Sequence, residues 1–246
     1  MYNFESHRDG RQIVTGSVVE ATHQFEAYKN LEVLKDGKVK KTFLTTANFT
    51  QEINFDILAA ASESYHISPN PEDYIIVPLP IVTCDVPNRN KECFQLEEVS
   101  YFDPRYGCFV YNTFNNKPCH KDHKNQDPTK ALGMHLDSSL IYNPKYDIWK
   151  ISVLTIWDRT KDTQRVNDII NKKITGYSMG SFVDNFQCNI CGANDVNIKP
   201  CEHKFGRTYG ANNRLAHKNL WGVCYFETSS VGEPADDTAF SSDVFI

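Results

Sequence analysis

Apolar and polar residues alternate most cleanly between Tyr146 and Trp157. Ile148, Lys150, Ser152, Leu154 and Ile156 face one way, and Trp149, Ile151, Val153, Thr155 and Trp157 the other. A period of two defines a strand, and apolar residues on much of both faces place it in the middle of a sheet. Ile75 to Thr83 reads as a second apolar strand, but Pro78 and Pro80 remove ladder donors, which assigns it to an edge or a sharp bend. The period then changes. Asp162 stands where a helix cap belongs, Val166, Ile169, Ile170 and Ile174 follow at helical spacing, and Lys172 and Lys173 lie where cations favour a helix C-terminus. The spacing predicts a helix of about three turns ending at Gly176. Tyr177 to Val183 is expected to be a turn entering a strand, and Gly222 to Val231 a further strand closed by a turn at Gly232 to Asp237. The first 70 residues are polar and mixed, with a weak strand-like stretch at Ile13 to Val19, a basic turn at Lys35 to Lys41 and an alternating run at Thr42 to Ile53. No internal repeat appears, and the expected class is α+β, mainly β.

Composition narrows the functional classes. With 246 residues, 40% of them hydrophobic and 23% charged, the chain can bury one generous core without disulfide staples. A net charge of −5 argues against a nucleic-acid surface, so no sequence-specific nucleic-acid binding is expected. The longest mostly apolar stretch, Tyr74 to Val82, is interrupted by two prolines and falls far short of the roughly 20 residues a spanning helix needs. No membrane association is expected. Met1 to Gly10 carries Glu5, Arg8 and Asp9 in place of an apolar leader core, and the expectation is a cytosolic compartment.

Eight cysteines change that picture. Five are scattered, an arrangement no secreted disulfide framework would produce. Cys188, Cys191, Cys201 and His203 instead share one short segment, and Cys188-Asn189-Ile190-Cys191-Gly192 has the form of a metal knuckle. Three thiolates and an imidazole suit tetrahedral zinc, and a site filled by four protein ligands leaves no place for a reactive water. A structural zinc is the expected cofactor, with the knuckle as a small insertion at residues 186–206 and no catalytic cofactor besides.

Two further segments carry chemistry. Gly176-Tyr177-Ser178-Met179-Gly180 matches G-x-S-x-G, the nucleophile elbow of α/β-hydrolases. The context is reversed, with a helix before the serine and a strand after it, so that fold is rejected. Lys117 to Pro128 is a dense polar segment holding Cys119, His120 and His123, expected to be a loop between strands. Either histidine can serve a serine as general base. Alternatively Cys119, His120 and His123 form a second metal site, that of a metal-dependent hydrolase. His135 and His217 read as ordinary polar or core-edge residues.

Several segments, in order, resemble the prohead maturation proteases of large tailed bacteriophages, the group typified by the T4-like prohead core protease and related to herpesvirus assemblin. Val86-Pro87-Asn88-Arg89-Asn90-Lys91 resembles that family's N-R-N segment, and Asn116-Lys117-Pro118 through His123 to Asp127-Pro128 the stretch around its catalytic histidine. Thr175 to Gly180 is similar to the nucleophile segment, Cys188 to His203 to an insertion seen in many of these proteins, and Phe226 to Val231 with Pro234-Ala235-Asp236 to the strand and turn that close the domain. The likeness runs from about Ile81 to the C-terminus, which sets residues 1–70 apart as a region of unassigned role and residues 71–246 as the protease-like domain.

The resemblance implies an assemblin-like β-barrel core surrounded by helices and a serine endopeptidase with Ser178 as nucleophile and His123 as base, His120 being the fallback. Glu227, on the closing strand, is the first choice for the group that orients the imidazole, and Asp184 the second. Oxyanion donors are expected among the backbone amides around Ser178. The implied substrates are phage scaffold or core proteins and the major capsid protein, cut inside the prohead during assembly in the host cytoplasm. Self-cleavage and a homo-oligomer are compatible with it. A noncatalytic capsid-associated relative that keeps the structural zinc site is the alternative.

Overall fold

The computed structural model describes residues 57–144, 146–194, 201–239 and 241, together with the backbone of short strands before residue 54. Its principal elements are α1 (Ile57–Tyr65), β1 (Tyr74–Thr83), β2 (Glu92–Phe94), β3 (Pro118–Lys121), β4 (Gly133–Asn143), β5 (Ile148–Asp158), α2 (Thr163–Ile170), β6 (Tyr177–Phe182), β7 (Asn185–Cys188), β8 (Lys218–Trp221) and β9 (Cys224–Ser230).

Six strands form the main sheet in the order β6-β9-β3-β4-β5-β1. The chain is mainly β, and this sheet curls into a half-barrel that brings its two end strands, β1 and β6, close together. β5 is flanked by β4 and β1, as its two-faced apolar pattern requires, and β1 is the edge strand its prolines demand. The ladder between them is irregular at Ile151/Ser152, beside Pro80.

Both faces of the sheet are covered. Ile75, Val77, Leu79, Ile151, Val153 and Trp157 point into one apolar cluster with Phe114, Val166, Ile169 and Tyr225. Their sequence neighbours Ile76, Leu154 and Ile156 point the other way, against Leu58 and Ala61 of α1. The packed unit therefore reaches back to Ile57, inside the first 70 residues. Before it, Leu31–Val33, Val39–Phe43 and Phe49–Ile53 pair as a three-stranded antiparallel sheet, so Val39 to Lys41 of the basic segment is strand. Of the stretch expected at Ile13 to Val19, Gly16–Val18 is strand and the rest lies outside the described residues.

Two sequence expectations need correction. Asp162 does cap α2, its Oδ1 accepting from the Arg165 amide at 2.9 Å, but the helix stops at Ile170. Lys172 takes a left-handed φ of 55°, and the amides of Lys173 and Ile174 both turn back to the Asp168 carbonyl. That ends the helix before Gly176, whose carbonyl instead accepts from Val231. Secondly, Ser178 is not in a turn. It is the second residue of β6, paired along the strand with β9.

Candidate functional site

The register of β6 against β9 sets the site. Ser178 lies opposite Ser229 and Gly180 opposite Glu227. Residues two apart share a face of a strand and direct cross-strand partners are neighbours, so all four occupy one patch. β3 runs parallel to β9 on its other side, with His120 opposite Ser229 and Lys121 opposite Ser230. The chain then turns back sharply, because Asp122 and His123 both take positive φ, 50° and 54°. Consecutive non-glycine residues in this region are uncommon and cost backbone energy, so the surrounding contacts must hold them.

Those contacts are specific. The Asp122 amide donates to the Ser230 carbonyl at 3.2 Å and the His123 amide to Ser229 Oγ at 3.1 Å. Arg165 of α2 braces the same corner, donating from Nε to Ser230 Oγ at 2.7 Å and from Nη2 to the Ser230 carbonyl at 2.8 Å. The turn brings the His123 ring to Glu227, with Nδ1 2.8 Å from Oε1. Ser229 Oγ donates to the other carboxylate oxygen, Oε2, at 2.8 Å. Glu227 is fully buried, whereas 44% of the His123 side chain is exposed. The hydrogen bond to Glu227 raises the His123 pKa above its ordinary value, against the smaller opposing effect of burial. Gly180 leaves room for this pair: a Cβ there would stand 2.7 Å from Glu227 Oε1 and 2.6 Å from the Phe226 ring.

Ser178 and His123 line one open cavity of about 770 Å³ between the end strands of the curled sheet. Its walls include Ile81 to Thr83 of β1, Tyr177 to Ser181 of β6, and the loop from Val86 to Asn90. No hydrogen bond joins the Ser178 hydroxyl to the His123 imidazole. The Tyr177 amide donates to the Ala239 carbonyl, away from β9. By strand alternation the Met179 amide and carbonyl also point away from β9, and Met179 lines the cavity.

The N-R-N and P-A-D segments meet at the cavity rim. Asn88 Oδ1 accepts from the amides of Asn90 and Glu92, and Arg89 pairs with Glu233 at 3.3 Å and with Asp237. The Arg89 amide donates to the Ala235 carbonyl. Asp236 accepts from the Thr83 amide at 2.7 Å and lies 3.7 Å from Nζ of Lys150. Lys150 is wholly buried, and burial lowers its pKa to about 8 despite Asp236. The β5 pattern displayed Lys150 among apolar residues, yet nothing local in it identified a partner more than eighty residues away.

Other candidates separate from the site. Asp184 accepts a hydrogen bond from Arg105 at 2.7 Å and fills the space beside Gly222, so it takes no part with His123. The segment expected as a loop begins instead as β3, which buries Cys119 and His120. Among the described residues the only grouping of three or more metal-type donors is Cys188, Cys191, Cys201 and His203, so Cys119, His120 and His123 do not converge on a common point. His120 is held below its ordinary pKa by burial, and the fully buried His135, whose ring lies 2.8 Å from the Phe114 carbonyl, is lowered to about 4 by the same cause. His217 is partly buried, its Nδ1 3.2 Å from the Leu215 carbonyl.

The four-donor cluster forms where β7 leads into the knuckle. Its ligand atoms all lie within 4.8 Å of one another. The separations are 3.8 Å for Cys188 Sγ to His203 Nδ1, 3.6 Å for Cys201 Sγ to the same nitrogen, and 3.6 Å between Cys191 Sγ and Cys201 Sγ. Gly192 has a φ of 72°, and its amide closes the knuckle on the Cys188 carbonyl. Burial alone would raise the Cys188 thiol, but the amides of Cys191 and Ile190 aimed at it bring its pKa down. Residues 195–200 of the expected insertion lie outside the described residues.

No protein-family model, curated protein or solved structure matches the chain. No helix among the described residues is long and apolar enough to cross a membrane.

Proposed function

We propose that this chain is a serine endopeptidase of the prohead maturation type, with Ser178 as nucleophile, His123 as general base and Glu227 as the group that orients the imidazole. The observation that carries the reading is the buried Glu227 carboxylate 2.8 Å from His123 Nδ1, in a cavity that Ser178 also lines. With Nδ1–H donated to Glu227, Nε2 is the free base. In the reaction Nε2 takes the proton as Ser178 Oγ bonds to the scissile carbonyl carbon, then returns it to the leaving amine as the C–N bond breaks. Water deacylates the serine by the same proton path in reverse. The outward-facing Met179 amide is available to the developing oxyanion. The curled half-barrel sheet, with the order of segments from Asn88 to Asp236 that resembles the prohead proteases, supports scaffold and capsid proteins as the substrates, cut within the prohead.

Cys188, Cys191, Cys201 and His203 fit zinc. Bond lengths of about 2.3 Å to sulfur and 2.0 Å to nitrogen put tetrahedral donors about 3.5–3.8 Å apart, matching the separations here. The ion's contribution is structural, fastening a polar loop beside β7 and β8.

Co-expression with the head proteins of the same phage tests the reading. Cleavage is expected with the intact chain and abolished in both Ser178→Ala and His123→Ala, each of which retains its folded circular dichroism. Undiminished cleavage by Ser178→Ala would overturn it, and no cleavage by the intact chain would favour the noncatalytic alternative.

A further inference from the structure

Ser229 is fully buried on β9, outside the nucleophile, base and carboxylate, yet its hydroxyl touches two of their supports at once. Oγ donates its single proton to Glu227 Oε2 at 2.8 Å and accepts the His123 amide at 3.1 Å. One atom therefore holds both the carboxylate and the strained backbone of the histidine. Two alternatives for these groups are poor. Without Ser229, the Oε2 oxygen of a fully buried carboxylate would lose a donor, and the His123 amide, at a φ of 54°, would lose its acceptor.

We infer that Ser229 is a positioning residue for the proposed catalytic pair, locking the tautomer and placement of the His123 ring by binding its backbone and its carboxylate partner through the same hydroxyl. The inference rests on the serine endopeptidase reading for its consequence in catalysis, but the locking itself is a property of the resting protein. Removing the hydroxyl frees the carboxylate to rotate and the turn to relax, which lengthens the contact to Nδ1. The ring then drifts toward the Nε2–H tautomer, in which the nitrogen facing the nucleophile is no longer basic.

The test compares Ser229→Ala with the parent, both as full-length protein, and repeats the comparison in a Ser178→Ala background. Nitrogen-15 NMR of the imidazole is expected to show His123 as the Nδ1–H tautomer with a raised pKa in the parent. In Ser229→Ala a growing Nε2–H fraction and a pKa falling toward the ordinary histidine value are expected, while the circular dichroism is retained. Turnover should fall by about ten- to a hundredfold in kcat with KM little changed. Ser229→Thr, which keeps the hydroxyl, should restore the parent tautomer. An unchanged tautomer and titration in Ser229→Ala would overturn the inference, whatever the activity. Should the tautomer shift as expected in a chain that cleaves nothing, the lock stands and the peptidase reading alone fails.

Discussion

Glu227 and Gly180 face each other across β9 and β6, and the missing side chain of one makes room for the carboxylate of the other. A Cβ on Gly180 would press within 2.7 Å of Glu227 Oε1, the oxygen that holds His123. Gly180→Ala is therefore expected to cost more in activity than in stability. Displacing the carboxylate by even an ångström should lower kcat/KM by about a hundredfold. Steady-state cleavage of a peptide from a scaffold protein, set beside the thermal midpoint, checks this; equal activity in the variant would contradict it.

Glu227→Gln keeps the shape of the pair but removes its charge. The amide nitrogen can only donate, which favours the wrong histidine tautomer, and kcat should fall by on the order of 10³ to 10⁴. Single-turnover kinetics with an activated ester separates that loss from any change in binding.

The pH dependence has a definite sign. Hydrogen bonding to Glu227 holds the folded pKa of His123 above its ordinary value near 6.5. With the neutral ring as the proposed base, kcat/KM should rise with pH through a midpoint above 6.5. For stability, a raised folded pKa means that the contribution of the pair is complete below the unfolded value and is lost as pH rises through the folded one. His135 works in the opposite sense. Its folded pKa of about 4 lies below the ordinary value of 6.5, so the unfolded chain binds the extra proton between them and stability is lost as pH falls through that window. The loss is about 3 kcal/mol by pH 4. Urea titrations at several pH values between 4 and 7 measure that slope, and a flat profile would contradict the burial of a neutral His135.

Metal removal should act on stability before chemistry. The chain is expected to bind one zinc, and Cys201→Ser to weaken it, because a hydroxyl is a poor substitute for thiolate. A chelator should lower the thermal midpoint, with recovery on adding zinc back. Mass spectrometry under native conditions gives the stoichiometry; a chain that carries no metal at any pH above 7 would contradict the assignment.

Much of this was legible in the chain, for reasons that differ from element to element. The β5 alternation and the prolines of β1 report local physics, and both strands stand where that physics puts them. The donors from Cys188 to His203 are close in sequence, so their spacing alone brings them together. Ser178, His123 and Glu227, the residues the resemblance implies, share one cavity, but the reasons they meet are not local. Two consecutive positive φ values at Asp122 and His123, held by Ser229 and Arg165, return the histidine over β9, and no periodicity encodes that. For the same reason Ser229 carries no signal in the sequence: a serine on a strand shows its role only once its two partners are in view. The end of α2 is not legible in the sequence because Lys172 takes the left-handed position that glycine usually fills.

The most direct measurement of the central claim is covalent. A fluorophosphonate reacts with a serine only where a base has activated it, and intact-mass and peptide analysis of the full-length chain locates the adduct. The account predicts one adduct on Ser178, absent in Ser178→Ala and strongly slowed in His123→Ala and Glu227→Gln. No adduct, an adduct on another residue, or labelling of Ser178 that is indifferent to His123 would contradict it.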